Sequence, residues 1–216
     1  MGSASGTIAV VDYGMGNLRS VWQALVHVAA GREVVVTADP DLVAAAGRVV
    51  FPGQGAMPDC MRELDARGLR TAVIEAAKNK PFLGICIGLQ MLFEHSEEGD
   101  VPGLGVFAGH VRRFPAAKMI APQGDKLKVP HMGWNEVAHT RSHALWNGIE
   151  EGARFYFVHS YYVDPVERES IAGSTNYGIP FTSAVARDNI FAIQCHPEKS
   201  AQAGLALLSN FIEWKP

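Results

Sequence analysis

The sequence contains few cysteines, no long apolar segment and no marked excess of charge of either sign. Its three cysteines, Cys60, Cys86 and Cys195, are odd in number and lack the spacing of metal ligands. They indicate a reduced, cytosolic protein rather than a disulfide-stabilised secreted one. No apolar run approaches the roughly 20 residues that a membrane-spanning helix needs, so the sequence predicts no such helix.

Charge and length narrow the function classes further. The chain of 216 residues carries 19 basic and 22 acidic side chains, a net charge of −3, and neither sign clusters strongly. This balance argues against a nucleic acid or an anionic membrane as partner. Residues 1–6 are small and polar, without the regions of a signal peptide, and we expect them to be disordered. The length favours one α/β domain, residues 1–216.

Apolar runs alternate with helical periodicity in the first half of the chain, which predicts a parallel sheet with helices on both faces. The expected strands are 7–12, 33–37, 48–51 and 81–86. A polar loop, 95–105, then precedes closely spaced strands that we expect to be antiparallel. These are 109–114, 127–130, 134–137, 153–159, 171–175, 181–186 and 190–194, and an amphipathic helix, 201–214, follows them.

One turn in the first half has the pattern of a nucleophile elbow. The apolar run 81–85 predicts a buried strand that delivers Cys86 to a sharp turn between Gly84 and Gly88, and 89–93 predicts a helix beyond it. Glycine on either side lets the backbone bend tightly. A helix N-terminus favours negative charge and therefore the reactive thiolate. From this stretch alone, a nucleophile and a buried core cysteine are equally good interpretations.

A segment near the C-terminus supplies the base that a thiolate nucleophile needs. The apolar strand 190–194 leads to His196, at the edge where open α/β sheets place their active sites. Glu198 follows two residues later and can hold the imidazole in one tautomer. Cys195 should point away from His196 into the core, since side chains alternate along a strand. Alone, this histidine and glutamate are more typical of a surface pair; together with Cys86 they favour a triad.

The oxyanion that forms during attack on an amide needs hydrogen-bond donors. One candidate is the backbone N–H of Ile87, directly after the nucleophile. Another lies in the loop 52–55, where Gly53 and Gly55 permit unusual peptide orientations and the N–H of Gln54 could turn into or out of the site. By its local sequence alone, this loop is more typical of an ordinary turn after a strand.

Three motifs taken together resemble those of the class I (triad) glutamine amidotransferases. They are Pro52-Gly53-x-Gly55, Gly84-x-Cys86-x-Gly88-x-Gln90 and His196-Pro197-Glu198, and the resemblance covers nearly the whole chain. Within the class, segments 12–17, 130–135 and 156–161 are similar to those of the glutaminase subunits of imidazole glycerol phosphate synthases. The resemblance implies a flavodoxin-like fold, with a central, mostly parallel sheet flanked by helices and antiparallel strands added in the C-terminal half.

The resemblance also implies a reaction. Cys86 would attack the carboxamide of glutamine, His196 would carry a proton to the departing ammonia, and water would hydrolyse the resulting thioester. Ammonia would then pass to a cyclase subunit, a (β/α)₈ barrel that forms a heterodimer with this chain. There it would be used to make imidazole glycerol phosphate and aminoimidazole carboxamide ribotide in histidine biosynthesis. Neither a cofactor nor a metal, nucleic acid or membrane is implied.

Further roles follow from the resemblance. Gln90 and Glu98, with backbone help from Ser160 and Tyr161, would contact the amino-acid end of glutamine, because a carboxylate can pair with an ammonium and N–H groups with a carboxylate. Five residues would lie at or near the partner interface and the ammonia exit: Asn17, Met132, Trp134, Asn135 and Lys199.

The sequence departs from many relatives at Gln54, where they carry a small apolar residue, and at Cys195, where they carry an aromatic one. Neither departure removes a catalytic group. Three alternatives remain at this stage: another class I amidotransferase, such as that of anthranilate or pyridoxal phosphate synthesis; a catalytically inactive subunit that binds a partner; and a stand-alone cysteine hydrolase. The intact triad argues against the inactive subunit, and segments 130–135 and 156–161 argue against the other amidotransferases.

Overall fold

A computed structural model describes residues 6–121 and 123–216. The expectation for the N-terminal residues therefore lies outside the described part, except for Gly6, which is exposed. Within those ranges, no helix is both long and apolar enough to cross a membrane.

Five parallel strands form one half of the main sheet. In spatial order they are β2 (Val34–Thr37), β1 (Ile8–Val11), β3 (Arg48–Phe51), β4 (Phe82–Ile85) and β14 (Ile190–Ile193). Burial of β1, β4 and β14 is complete, which explains why each is a continuous apolar run rather than an alternating one. The predicted parallel half of the sheet is confirmed.

Helices cover both faces of this sheet. They are α1 (Leu18–Val28), α2 (Pro40–Ala45), α3 (Met57–Ala66), α4 (Arg70–Asn79), α5 (Ile87–Met91) and α6 (Ala201–Glu213). Successive residues of β1 serve opposite faces: Val10 packs in the core beneath α1 and α6, and Val11 packs in the core beneath α3 and α4. Two apolar cores therefore sandwich the sheet, as the helical periodicity predicts.

Mostly antiparallel strands extend the sheet beyond β14. They are β13 (Ile179–Arg187), β11 (Tyr161–Pro165), β7 (Phe107–Arg113), β5 (Phe93–Ser96) and β6 (Val101–Pro102). In addition, β12 (Ile171–Tyr177) pairs with β13, and β9 (Ala138–His139) pairs with β12. Among them, β5 runs parallel to β7. A separate ribbon pairs β8 (His131–Glu136) with β10 (Arg154–His159). The predicted antiparallel addition is confirmed.

Two local predictions were wrong, and one strand was not predicted. Segment 127–130 is not a strand, and its Pro130 has no N–H to contribute to a ladder. The helix after Cys86 ends at Met91, and β5 begins at Phe93, inside the expected helix and loop. Strand β11 also has no counterpart in the prediction. Strands β5 and β11 are short, carry polar residues and lack the apolar runs that identify the buried strands.

The turn at Cys86 is held by unusually close packing. Cys86 has φ +56° and ψ −112°, a conformation that non-glycine residues rarely adopt. A Cβ on Gly88 would lie 1.9 Å from the carbonyl oxygen of Phe51, and a Cβ on Gly84 would lie 2.9 Å from the Cβ of Ala192. Glycine at both positions therefore lets the turn fit between β3 and β14.

Gly88→Ala should destabilise the fold. Gly88 is helical, so alanine would by itself favour the helix by about 1 kcal/mol. The collision with the Phe51 carbonyl instead predicts a loss of about 3 kcal/mol or more in the free energy of unfolding, since backbone atoms cannot move aside cheaply. Urea unfolding followed by circular dichroism measures it. Gly148→Ala, at φ +71° with open space around it, should lose only about 1 kcal/mol from backbone strain. Equal losses in both variants would refute the packing argument.

Candidate active site

A cavity of about 340 Å³ opens at the C-terminal ends of the parallel strands. Its walls come from the loop after β3, the turn after β4, the segment after β14, and the end of β10 with the start of β11. The lining residues are Gln54, Gly55, Cys86, Ile87, Gln90, Glu98, Pro130, Val158, His159, Ser160, Tyr161 and His196. A larger groove, about 870 Å³, lies beside Met132 and Tyr177 but contains no nucleophile.

Cys86 lines this cavity, and the sheet fixes the position of its backbone. Its N–H donates to the carbonyl of Ile193 (2.8 Å), so pairing between β4 and β14 continues up to the turn. The residue is the N-cap of α5 and is 8% exposed. The thiol thus faces the cavity at a helix N-terminus, where the backbone favours negative charge.

His196 and Glu198 form a buried ion pair beside Cys86. The Nδ1 of His196 lies 2.8 Å from Oε1 of Glu198, and the two side chains are 5% and 2% exposed. Burial lowers the pKa of His196, but the neighbouring Cys86 sulfur and the charge and hydrogen bond of Glu198 outweigh it and raise the pKa to about 10. Since Nδ1 donates to the carboxylate, Nε2 is the nitrogen available to Cys86, and it has no other partner among the described residues.

The two candidate oxyanion donors lie against each other. Ile87 is the first residue of α5, so its N–H has no acceptor within the helix. Gly53 packs on it so closely that a Cβ there would come within 2.3 Å of the Ile87 side chain. The neighbouring Gln54 is exposed, and Gly55 has φ +124°. The loop therefore lies next to the predicted oxyanion position, and Gly55 occupies its position of positive φ, which favours glycine.

Gln194 is a functional candidate that the sequence reasoning missed. Its amide nitrogen lies 3.7 Å from the Cys86 sulfur, and its oxygen accepts from Gln90 (3.0 Å). Gln90 also donates to the carbonyl of Tyr161 (3.2 Å). Gln194 is fully buried, so its donor is held against the sulfur. A glutamine two residues before a candidate base is the only sequence signal that could have indicated it.

The other predicted glutamine contacts also line the cavity. Glu98 accepts from the N–H of Met57 (2.8 Å) at the start of α3, which orients its carboxylate. Ser160 and Tyr161 lie on the opposite wall, between β10 and β11. His159, beside them, was not predicted as a site residue. Its position follows from strand pairing rather than from local sequence.

Four of the five predicted partner residues are exposed, and all five lie outside the lining of the cavity. On β8, Met132 and Trp134 are 62% and 44% exposed and point to the same side. Trp134 packs edge-on against Tyr156, and the Lys199 ammonium lies 5.9 Å from the centre of the same ring. Asn17 is exposed at the start of α1, whereas Asn135 is half-buried. Their role in binding a partner stays a prediction.

Cys60 and Cys195 belong to the cores rather than the cavity. Both are fully buried, as the alternation along the strand predicts for Cys195. Burial raises the pKa of Cys60 to about 11 and that of Cys195 well above its usual value. All three thiols are free. Across the described ranges, no cluster of three or more His, Cys, Asp or Glu side chains could hold a metal ion.

Comparison with known proteins identifies the family. Residues 9–214 match the model for glutamine amidotransferase class-I. The imidazole glycerol phosphate synthase subunit HisH of Dechloromonas aromatica (strain RCB) is 71% identical over 213 residues, 99% of each chain. The corresponding subunit of Aromatoleum aromaticum is 67% identical, over 97% of this chain and 99% of that one.

A solved structure shows the same fold at much lower identity. The structure of PurLQS from Thermotoga maritima superposes with a TM-score of 0.69 at 17% identity, covering 96% of this chain and 97% of that chain. At this identity the likeness establishes the fold alone.

Iodoacetamide near pH 7 should label Cys86 and spare the other two cysteines in the folded protein. Cys86 faces the cavity beside a protonated imidazole, whereas burial keeps Cys60 and Cys195 as inert thiols. Peptide mass mapping identifies the labelled residue. Glu198→Gln removes the carboxylate that helps to keep His196 protonated, and it should slow labelling by about tenfold. Equal labelling of all three thiols, or an unchanged rate in Glu198→Gln, would contradict the proposed electrostatics.

Proposed function

Because the chain belongs to the class-I glutamine amidotransferase family, we propose that Cys86, His196 and Glu198 are the triad with which it hydrolyses glutamine. The chain acts as the glutaminase subunit of an imidazole glycerol phosphate synthase in histidine biosynthesis. The observation that carries the triad is the buried His196, whose Nδ1 is held by Glu198 while Nε2 remains for Cys86.

The chemistry begins with the Cys86 sulfur attacking the carboxamide carbon of glutamine. Glu198 keeps the imidazole of His196 protonated, so Nε2–H can pass its proton to the departing nitrogen as the C–N bond breaks. Ammonia leaves, and a glutamyl thioester remains on Cys86. The imidazole, now neutral, takes a proton from water, which attacks the thioester to release glutamate and the thiolate. His196 keeps the proton taken from water, the new carboxyl group of glutamate releases its own proton to solvent, and the thiolate–imidazolium pair is restored.

Gln194 supports both steps from behind the nucleophile. Its amide N–H points to the sulfur and stabilises the thiolate before attack and after release. The bond from Gln90 to its oxygen fixes the amide orientation. This assignment makes Gln90 an orienting residue for the nucleophile as well as a substrate contact.

The oxyanion is stabilised by the N–H of Ile87 and by a peptide of the Gly53–Gln54 loop. Ile87 is fixed at the start of α5, but the loop lies on an exposed edge with glycine on either side of Gln54. One oxyanion donor contributes roughly 10²–10³ in turnover. Rotation of the Gln54 peptide would therefore switch hydrolysis on or off, and a partner bound nearby could control it.

The substrate's amino-acid end lies between two walls of the cavity. Glu98 supplies the negative charge for the α-ammonium, and backbone groups of Ser160 and Tyr161 face the α-carboxylate. The cyclase subunit docks on the exposed face built from Met132, Trp134 and Lys199, where an exposed tryptophan is typical of an interface anchor. Ammonia crosses this face, near Asn17 and Asn135.

The working compartment is the cytoplasm. The three cysteines are free, and the reaction requires one of them as thiolate, which a reducing compartment preserves.

Cys86→Ala should abolish synthesis of imidazole glycerol phosphate from glutamine and leave synthesis from ammonium salts intact. The substitution removes the nucleophile, while the cyclase can still use ammonia from solution. Product formation by the reconstituted complex with each nitrogen source measures both activities, and co-elution of the two subunits verifies assembly. Loss of both activities in an assembled complex would indicate a structural role for Cys86.

The isolated chain should hydrolyse glutamine slowly, and the cyclase with its nucleotide ligand should increase turnover by roughly 10²-fold or more. This magnitude is what one oxyanion donor contributes. Ammonia release, measured with and without saturating cyclase, tests it. Full activity of the chain alone would refute control through the Gln54 loop and leave the triad assignment unaffected.

A further inference from the structure

Two histidines outside the triad are joined in the interior of the protein. His131 and His159 stand directly opposite each other on β8 and β10. The Nδ1 of His131 lies 3.0 Å from Nε2 of His159, and the residues are 2% and 6% exposed. His159 lines the glutamine cavity, whereas His131 lies behind it. The pair therefore links the cavity wall, on β10, to the neighbouring strand β8.

The hydrogen bonds of this pair have one consistent direction. Nδ1 of His159 lies 2.7 Å from the carbonyl oxygen of Tyr161, which can only accept, so this nitrogen carries the proton. Burial lowers the pKa of His159 to about 3 and that of His131 to about 4, so both rings are neutral. Nε2 of His159 then accepts from Nδ1–H of His131. Nε2 of His131 in turn accepts from the Asn135 amide (3.2 Å).

Each end of this chain of bonds reaches a functional region. The outer end, Asn135, is half-buried and directly follows Trp134 on β8, with its side chain on the opposite side of the strand from the exposed Met132 and Trp134. A partner that contacts those two residues therefore reaches Asn135 through the backbone of β8. The inner end, the Tyr161 carbonyl, also accepts from Gln90, which holds Gln194 against the Cys86 sulfur. Hydrogen bonds therefore run without a gap from the ribbon to the nucleophile.

We propose that His131 and His159 are positioning residues, forming a relay that ties the orientation of the Tyr161 peptide in the glutamine pocket to the position of Asn135, directly behind the predicted partner face. The relay deepens the proposed function, on which it rests, because it names a route from the cyclase to the site. It transmits geometry and carries no proton.

The packing around the relay makes it stiff. The ring of His131 is stacked between Phe157 and Tyr177, with ring centres 4.9 Å and 4.0 Å away. The amide of Asn135 is fixed by a second bond to the carbonyl of Asn176 (2.9 Å). Turning either imidazole would leave a buried nitrogen without a partner, which is costly. A displacement of Asn135 by a docked subunit must therefore shift the rings together or break a bond.

The tautomers provide a direct test. Both imidazoles should carry their proton on Nδ1, the less common form for a free histidine in water. The ¹⁵N shifts of selectively labelled histidine, assigned with His131→Gln and His159→Gln, measure this in the complete protein. Protonation of His159 at Nε2 would reverse the direction of the chain and overturn the relay.

Substitutions at His131 test the function, because an amide can replace one ring nitrogen at a time. His131→Asn retains a donor near Nδ1 and loses the bond to Asn135; His131→Gln retains an acceptor near Nε2 and loses the bond to His159. His131→Phe keeps the stacked ring and loses both bonds. The kcat and KM of glutamine hydrolysis are measured for each, alone and with saturating cyclase.

We expect His131→Asn to keep the KM for glutamine within about twofold but to reduce stimulation by the cyclase about fivefold. His131→Gln and His131→Phe should also raise KM about five- to tenfold, the effect of losing one hydrogen bond. Equal losses in all three variants, tracking their melting temperatures, would indicate a merely structural pair. Unchanged kinetics in all three would also refute the relay.

Asn135→Leu keeps the test decisive if the His131 variants fail to fold. At saturating cyclase it should reduce stimulation about fivefold, whereas Glu136→Gln, on the exposed side of the same strand, should not. Equal stimulation in both would overturn the relay. Absence of glutamine hydrolysis in the unsubstituted complex would instead refute the proposed function, so the two failures are distinguishable.

Discussion

The strained backbone of Cys86 is the constraint on which the rest of the site depends. A non-glycine residue at φ +56° costs free energy of order 1–3 kcal/mol, and it persists only where its surroundings fix it. Here β3 packs closely against Gly88 and β14 packs closely against Gly84, so the turn is held from both sides. The turn therefore places the Cys86 sulfur beyond the end of β4, at the start of α5. Placing the proposed nucleophile this way requires the completed parallel sheet, so the geometry of the site depends on the folding of that sheet.

The cavity is built from two parts of the chain with different architecture. The parallel half supplies Cys86, His196 and the loop after β3, the proposed nucleophile, base and oxyanion loop, all at strand ends. The antiparallel ribbon and the start of β11 supply the opposite wall, which includes Ser160 and Tyr161. The ribbon also carries the exposed Met132 and Trp134. A partner that contacts the ribbon is therefore one strand away from the glutamine pocket without entering it, which suits a subunit whose turnover is controlled from outside.

Prediction from sequence placed residues correctly where position is set by immediate neighbours, and their catalytic roles stay a proposal. Cys86 was identifiable because glycines flank it between an apolar run and a helix, and Glu198 because it follows His196 by two residues. The method failed at Gln194 and the His131–His159 pair, whose contacts depend on which strands lie side by side. It also mistook segment 127–130 for a strand and missed β11, because short segments with mixed polarity carry little periodic signal. The contacts of these residues depend on which strands pair and in which register, and the local sequence pattern does not reveal this.

Burial lowers the pKa of two neighbouring histidines, but their net pKa shifts are opposite. For His196 the carboxylate of Glu198 and the sulfur of Cys86 outweigh desolvation and keep the imidazole charged. For His159 burial dominates, and the charge on His196 lowers its pKa further, so it stays neutral. A second imidazolium at His159 would place a competing cation and a second proton donor in the cavity that His196 lines. Neutrality confines proton transfer to the triad, and it leaves His159 free to fix the Tyr161 carbonyl through a single, directed hydrogen bond.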